Sequence, residues 1–179
     1  ACTSCCSLIL QTDDPADFEL ARQGTLGMGA LQCGSFNLPR IAYLAHGDDN
    51  RVFELIRERM DLLAEAMVAK YEFMKKVLAA GVSPFLTQPK LRGVDNSPYF
   101  ELDKQSVLLS FCGLNEFVAA HMGAELHESK EAHNFGMKIL MFMLDYCNEL
   151  SARHGINFAI WRQPGETMTG KFAQDDWNK

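Results

Sequence analysis

Apolar residues between 51 and 80 return mostly every three or four positions, at Val52, Ile56, Met60, Leu63, Met67, Met74 and Leu78. Phe53, Leu55, Tyr71 and Val77 widen the stripe, so one face of a long helix is predicted here. Thirty residues at 1.5 Å rise make a rod of about 45 Å. Gly81 and Pro84 supply the stop. A second helix is predicted over residues 128–154, with the stripe Phe135, Ile139, Phe142, Met143, Tyr146 and Leu150 and an end at Gly155. Two short apolar runs read instead as buried strands: residues 105–111 (Gln-Ser-Val-Leu-Leu-Ser-Phe) and residues 156–161 (Ile-Asn-Phe-Ala-Ile-Trp). Between them, Cys112-Gly113 turns the chain into a short helix over 114–122.

The remainder is less periodic. Residues 1–34, broken by Asp13, Asp14, Pro15, Gly24, Gly27 and Gly29, read as one long ordered loop, and such loops are commonly functional. Residues 35–43 read as a strand end leading into a turn at 46–50, where Asp49 or Asn50 can cap the long helix. Residues 83–104, with Pro84, Pro89, Gly93 and Pro98, form a connection. Gln163-Pro164-Gly165-Glu166-Thr167 opens a loop and a final helix. The order strand, helix, strand, helices, strand predicts βαβ units around a parallel sheet or barrel. Functional residues in such folds lie where strands end, which is where Cys112 and the 164–167 loop fall.

Composition narrows the function. With 47% apolar residues the 179-residue chain has the material for a packed core. The 17 basic against 23 acidic residues leave a formal charge of −6, which argues against binding nucleic acid by phosphate neutralisation. No stretch approaches a membrane span, and residues 1–10 lack the pattern of a signal peptide. A reducing, cytoplasmic setting is expected, so the six cysteines, Cys2, Cys5, Cys6, Cys33, Cys112 and Cys147, are read as packing, metal ligands or chemistry rather than staples. Cys2, Cys5 and Cys6 with Cys33 make only one knuckle-like pair, a poor zinc site. Packed loop thiols or a redox cysteine remain open for them. The histidines show no ligand spacing: His127 and His133 share a helix start but do not face together. Cys147 sits on a helix flank and reads as core.

Several motifs carry a resemblance. Asn37-Leu38-Pro39-Arg40-Ile41-Ala42 follows a loop begun by Cys5-Cys6-Ser7-Leu8. Then come Cys112-Gly113-Leu114-Asn115-Glu116, Phe135-Gly136-Met137-Lys138-Ile139-Leu140, Pro164-Gly165-Glu166-Thr167, and Lys171-Phe172-Ala173 with Asp175. In this order they resemble elements of the anaerobic (class III) ribonucleotide reductases, glycyl-radical enzymes that reduce ribonucleoside triphosphates. The resemblance spans nearly the whole chain. It implies an α/β fold: a portion of a ten-stranded barrel with long flanking helices, with residues 1–34 as the central finger loop and 35–179 as strands and helices of a single segment.

The resemblance also implies roles. Cys6, with Cys5 as the fallback, matches the thiyl-radical cysteine that abstracts the 3′ hydrogen of the ribose, although the family places a basic residue where this chain has Ser7. A thiol suits that step because its S–H bond exchanges hydrogen reversibly with a carbon radical, behind a wall that excludes water and oxygen. Cys112 resembles the extra barrel thiol of redoxin-dependent members, which would pair with Cys6 in each turnover; the alternative is a packed strand-end thiol. Glu166 would relay a proton or hold a ribose hydroxyl, or else is a first-turn helix glutamate. Asn37 would bond substrate or satisfy a strand end. Glu116 reads as structural.

The glycyl radical itself would come from outside the segment, since the family carries it in a loop beyond the Lys171-Phe172-Ala173 match. No bound metal is expected. Implied partners are a ribonucleoside triphosphate substrate, dNTP and ATP effectors, a radical-SAM iron–sulfur activating enzyme, and formate or a thioredoxin- or glutaredoxin-like reductant, in a homodimer. The expectation is a middle portion of a larger enzyme, inactive alone. The competing readings are another glycyl-radical enzyme of the formate-lyase kind, or a helical interaction module using its nine methionines.

Overall fold

The computed structural model describes residues 2–3, 9–10, 15–22, 27–89, 98–163 and 165–178. At the N-terminus β1 (Cys2–Thr3) pairs antiparallel with β2 (Ile9–Leu10), and α1 spans Pro15–Arg22. The rest alternates: β3 (Gly29–Asn37), α2 (Leu38–Ala45), α3 (Asp49–Ala79), a single turn α4 (Pro84–Thr87), β4 (Gln105–Cys112), α5 (Leu114–Met122), α6 (Lys130–His154), β5 (Asn157–Arg162) and α7 (Glu166–Trp177). Strands β3, β4 and β5 lie side by side in that order, and both pairs are parallel. The expected βαβ alternation is therefore present, as a three-stranded sheet.

Two sequence expectations are corrected. The stretch read as loop up to Gly34 contains α1 and the first six residues of β3. The strand was hidden because its inner positions, Cys33 and Ser35, are polar or small, and glycine stands at Gly29 and Gly34. Residues 38–45, read as a strand end and turn, are helical. Asn37 is extended (φ −91°) and its Oδ1 accepts from the Arg40 backbone N–H at 3.3 Å, while Pro39 sits in the first turn, where a missing N–H costs nothing. Left-handed His46 (φ 49°) and Gly47 (φ 83°) then end α2.

The cap of α3 is Asp48 rather than its neighbours, with Oδ1 accepting from Asn50 N–H at 2.9 Å and Arg51 N–H at 3.3 Å. Asp49 and Asn50 lie inside the first turn. Ser129 caps α6 in the same way through Ala132 N–H.

The two long helices cover one sheet face. Val52, Leu55, Ile56, Met60 and Ala64 of α3 and Phe135, Ile139, Met143, Tyr146, Cys147 and Leu150 of α6 join Phe36, Val107, Leu109, Phe111 and Phe158 in a single buried core. Gln32 reaches into this layer and donates to the Met67 carbonyl at 2.8 Å, and Gly34 meets Leu63 and Met67 so closely that a β-carbon would fall 2.5 Å from Met67 Cε. Because side chains alternate along a strand, Cys33, Ser35 and Asn37 point to the opposite face. In register they oppose Leu108, Ser110 and Cys112. All eight residues of β4 are buried.

Candidate functional site

All three strands run parallel, so their C-terminal ends gather at one edge of the sheet. There β3 delivers Asn37, β4 delivers Cys112 and Gly113, and β5 delivers Arg162 and Gln163, while α7 crosses above with Glu166, Phe172, Asp176 and Trp177. These residues line a cavity of about 840 Å³, within the range that holds a small organic ligand. Three of the residues predicted from sequence, Asn37, Cys112 and Glu166, are brought together in it. Cys5 and Cys6 lie outside the described residues.

Cys112 is 6% exposed, and its thiol donates to the Phe36 carbonyl at 3.7 Å. Burial, reinforced by the nearby Glu116 carboxylate, pushes its pKa up. Both effects favour the neutral S–H over the thiolate. Asn37 pairs with Cys112 in the sheet register. Its amide is doubly engaged: Oδ1 caps α2, and Nδ2 donates to Asp176 Oδ2 at 2.7 Å. One N–H and one oxygen lone pair remain for a ligand. Glu166 opens α7 with an exposed side chain, and the helix start beside it has no side-chain cap. The same is true of α5, which follows Gly113. Two helix N-termini that take no side-chain cap among the described residues therefore border one cavity.

Several lining residues were not singled out from the sequence. Glu116, read as structural, lines the cavity and acts on the Cys112 thiol. Asp176 accepts from both Asn37 and Arg40, the latter through Nε at 2.5 Å, and so ties α7 to the start of α2. The motif resemblance points to Asp175, which instead makes a 4.0 Å surface pair with Lys171. Gln163 accepts at Oε1 from the Ser35 hydroxyl (2.7 Å) and the Cys33 thiol (3.1 Å). Its position just after a predicted strand and just before the Pro164-Gly165-Glu166 motif is the available signal.

Among the described residues, no group of three or more His, Cys, Asp or Glu side chains is placed to hold a metal ion. Cys147 is core: it is 1% exposed, and burial pushes its thiol up to about 12. No helix of the described residues is long and apolar enough to cross a membrane.

Comparison with known proteins places this site in context. The chain is 27% identical over 165 residues to the anaerobic ribonucleoside-triphosphate reductase of Salmonella typhimurium, covering 88% of this chain and 23% of that protein. It is 28% identical over 163 residues to the enzyme of the same description from Enterobacteria phage T4, covering 86% and 25%. The chain thus spans about a quarter of the length of these relatives. Its fold is similar to part of the Thermotoga maritima anaerobic ribonucleotide reductase with citrate in the active site, with a TM-score of 0.65, 23% identity, and coverage of 78% of this chain and 25% of that one. A structure of that enzyme in complex with dATP and CTP matches with a TM-score of 0.62 and 23% identity, over 74% and 22% of the two chains. The family model described as anaerobic ribonucleoside-triphosphate reductase matches residues 1–179. The fold of the chain is thus similar to part of a solved anaerobic ribonucleotide reductase, and because the family model matches it from end to end, the chain belongs to the anaerobic ribonucleoside-triphosphate reductase family.

Proposed function

We propose that this chain forms one wall of the substrate cavity in an anaerobic ribonucleoside-triphosphate reductase, within a ten-stranded barrel, and that the complete enzyme converts ribonucleoside triphosphates to deoxyribonucleoside triphosphates in the cytoplasm. The observation that carries the proposal is the meeting of Asn37, Cys112 and Glu166 in one cavity at the strand ends. The Thermotoga maritima relative has been solved with dATP in its specificity site and with dATP and CTP together, which supports a nucleotide substrate and a dNTP effector here.

The family's glycyl radical supplies the hydrogen-abstracting power that turns a cysteine into a thiyl radical. Cys112 fits the reducing half of that chemistry, because burial favours its S–H form and so leaves it a hydrogen atom to give. Cys6, with Cys5 as the fallback, takes the 3′ hydrogen of the ribose and later returns it. Loss of the 2′-hydroxyl as water consumes two protons and two electrons. If thiols supply them, they are Cys112 and a second thiol other than the one that returns the 3′ hydrogen: two S–H bonds and the C2′–O bond break while one S–S bond, one C2′–H bond and the second O–H bond of water form, and a thioredoxin- or glutaredoxin-like dithiol restores the pair. If formate supplies them, it leaves as carbon dioxide. Glu166 exchanges the proton with the sugar hydroxyls. Asn37 offers its remaining N–H to the substrate. The starts of α5 and α7, which take no side-chain cap among the described residues, favour the phosphates. Activation by a radical-SAM iron–sulfur enzyme and assembly as a homodimer follow from the family.

The test is anaerobic CTP reduction by the complete enzyme that carries this segment. Cys6→Ser should abolish turnover while leaving the glycyl radical formable, and Glu166→Gln should lower kcat by about 10²–10⁴, the usual worth of a positioned proton-transfer group. Cys112→Ser should stop turnover with a redoxin. Normal turnover in Cys6→Ser and Cys5→Ser alike would overturn the proposal.

A further inference from the structure

The inner face of the sheet continues below the cavity floor as a small polar cluster that the proposed chemistry does not use. Cys33 and Ser35 on β3 face Ser110 on β4, and Gln163, just past the end of β5, folds over them. Cys33 cannot serve as a redox partner of Cys112. In the parallel register Cys112 pairs with Asn37, four residues beyond Cys33, so the two thiols lie about 13 Å apart along the strands, well outside disulfide reach. What Cys33 does is donate. Burial pushes its pKa up, with the Ser110 and Ser35 hydroxyls opposing by less, and the sulfur stays an S–H.

Both donors converge on one acceptor. Ser35 Oγ lies 2.7 Å and Cys33 Sγ 3.1 Å from Gln163 Oε1. With its oxygen held by two donors, the amide plane is fixed. Its Nε2 carries two N–H donors and has no partner among the described residues, while Gln163 lines the cavity. The height of this group is also set by register. Ser35 and Ser110 form one rung, and Asn37 and Cys112 the next on the same face, about 7 Å higher. The Gln163 amide, bonded at the Ser35 rung, therefore stands about one rung below Cys112, at the foot of the part of a ligand that Cys112 meets.

We propose that Gln163 contacts the substrate, its amide held at Oε1 by Cys33 and Ser35 so that Nε2 donates to an acceptor oxygen on the sugar of the bound ribonucleotide, with Cys33 and Ser35 as its positioning residues. This rests on the reading of the cavity as the nucleotide site. An amide fixed from behind loses little freedom on binding, which favours a uniform contribution to affinity over one confined to the transition state.

The experiment is steady-state CTP reduction in the complete enzyme, with thermal unfolding of each variant as a control for folding. Gln163→Leu should raise KM for CTP about tenfold with kcat changed less than about threefold, the loss of one well-formed hydrogen bond. Cys33→Ser keeps a donor to Oε1 and should keep KM within about threefold, whereas the pair Cys33→Ala with Ser35→Ala should approach the KM of Gln163→Leu. An unchanged KM in Gln163→Leu overturns the inference. Loss of turnover in Cys33→Ser also overturns it, because Cys33 would then be a chemical rather than a positioning thiol. Failure of the unmodified enzyme to reduce CTP or any other ribonucleoside triphosphate would instead remove the reading on which the inference rests.

Discussion

Arg40 and Asp176 meet side chain to side chain, Nε to Oδ1 at 2.5 Å, although they stand near opposite ends of the described parallel fold. The same carboxylate takes the Asn37 amide at 2.7 Å. Both groups are largely shielded, with Arg40 28% and Asp176 14% exposed. The pair therefore clasps α7 onto the start of α2, and α7 in turn supplies one wall of the cavity.

Removing the carboxylate should loosen that wall. Asp176→Ala leaves a partly buried guanidinium and an amide N–H without their acceptor, at a cost of about 2 kcal/mol. Chemical denaturation should report it, and a double-mutant cycle with Arg40→Ala should return a coupling of about 1 kcal/mol or more. Strictly additive losses would show that the two groups do not stabilise each other.

Gly113 joins Cys112 to α5 with φ +74°, and a β-carbon there would come within 2.6 Å of Pro39 Cγ. Gly113→Ala should therefore combine backbone strain with a clash and cost about 1–3 kcal/mol. A variant as stable as the parent would mean that the strand-to-helix turn relaxes freely.

The Cys147 thiol gives a pH dependence with a definite sign. Its pKa is pushed up to about 12 in the fold from an ordinary 9.0. Between pH 9 and 12 the unfolded chain has lost this proton and the folded one keeps it, so stability falls as pH rises. The slope from this group is about 1.4 kcal/mol per pH unit, fully absent below pH 9. Urea unfolding at several pH values from 8.5 to 10.5, compared with Cys147→Ala, should show a shallower decline in the variant.

Cys112 should alkylate slowly at neutral pH, since burial and Glu116 both disfavour its thiolate. Glu116→Gln removes one of the two causes and should speed the reaction at pH 8, read residue by residue by mass spectrometry. Cys147 should stay unmodified in the same native sample. Equal rates for Cys112 with and without Glu116 would remove the carboxylate as a cause.

Local pattern was enough for the two long helices, the strands β4 and β5, and the alternation that places Cys112 and Glu166 at strand ends. These follow from periodicity, glycine stops and chain order, each of which is written within a few neighbouring residues. It was not enough for β3, whose inner face is polar or small because it lines a site, nor for α2, where a proline two positions after asparagine marks a helix start as readily as a turn. Motif resemblance pointed to Asn37, Cys112 and Glu166, but the partners of these residues depend on register. Gln163 and Cys33 stand 130 positions apart and Arg40 and Asp176 stand 136, so no local signal links them. By itself the sequence determined the two long helices, the strands β4 and β5 and which residue types arrive at their ends. Only the tertiary structure decided that Asn37 is already committed to Asp176, that Glu116 faces a thiol, and that Gln163 is oriented from behind, because those facts are set by the parallel pairing of β3, β4 and β5 and by where α7 docks across them.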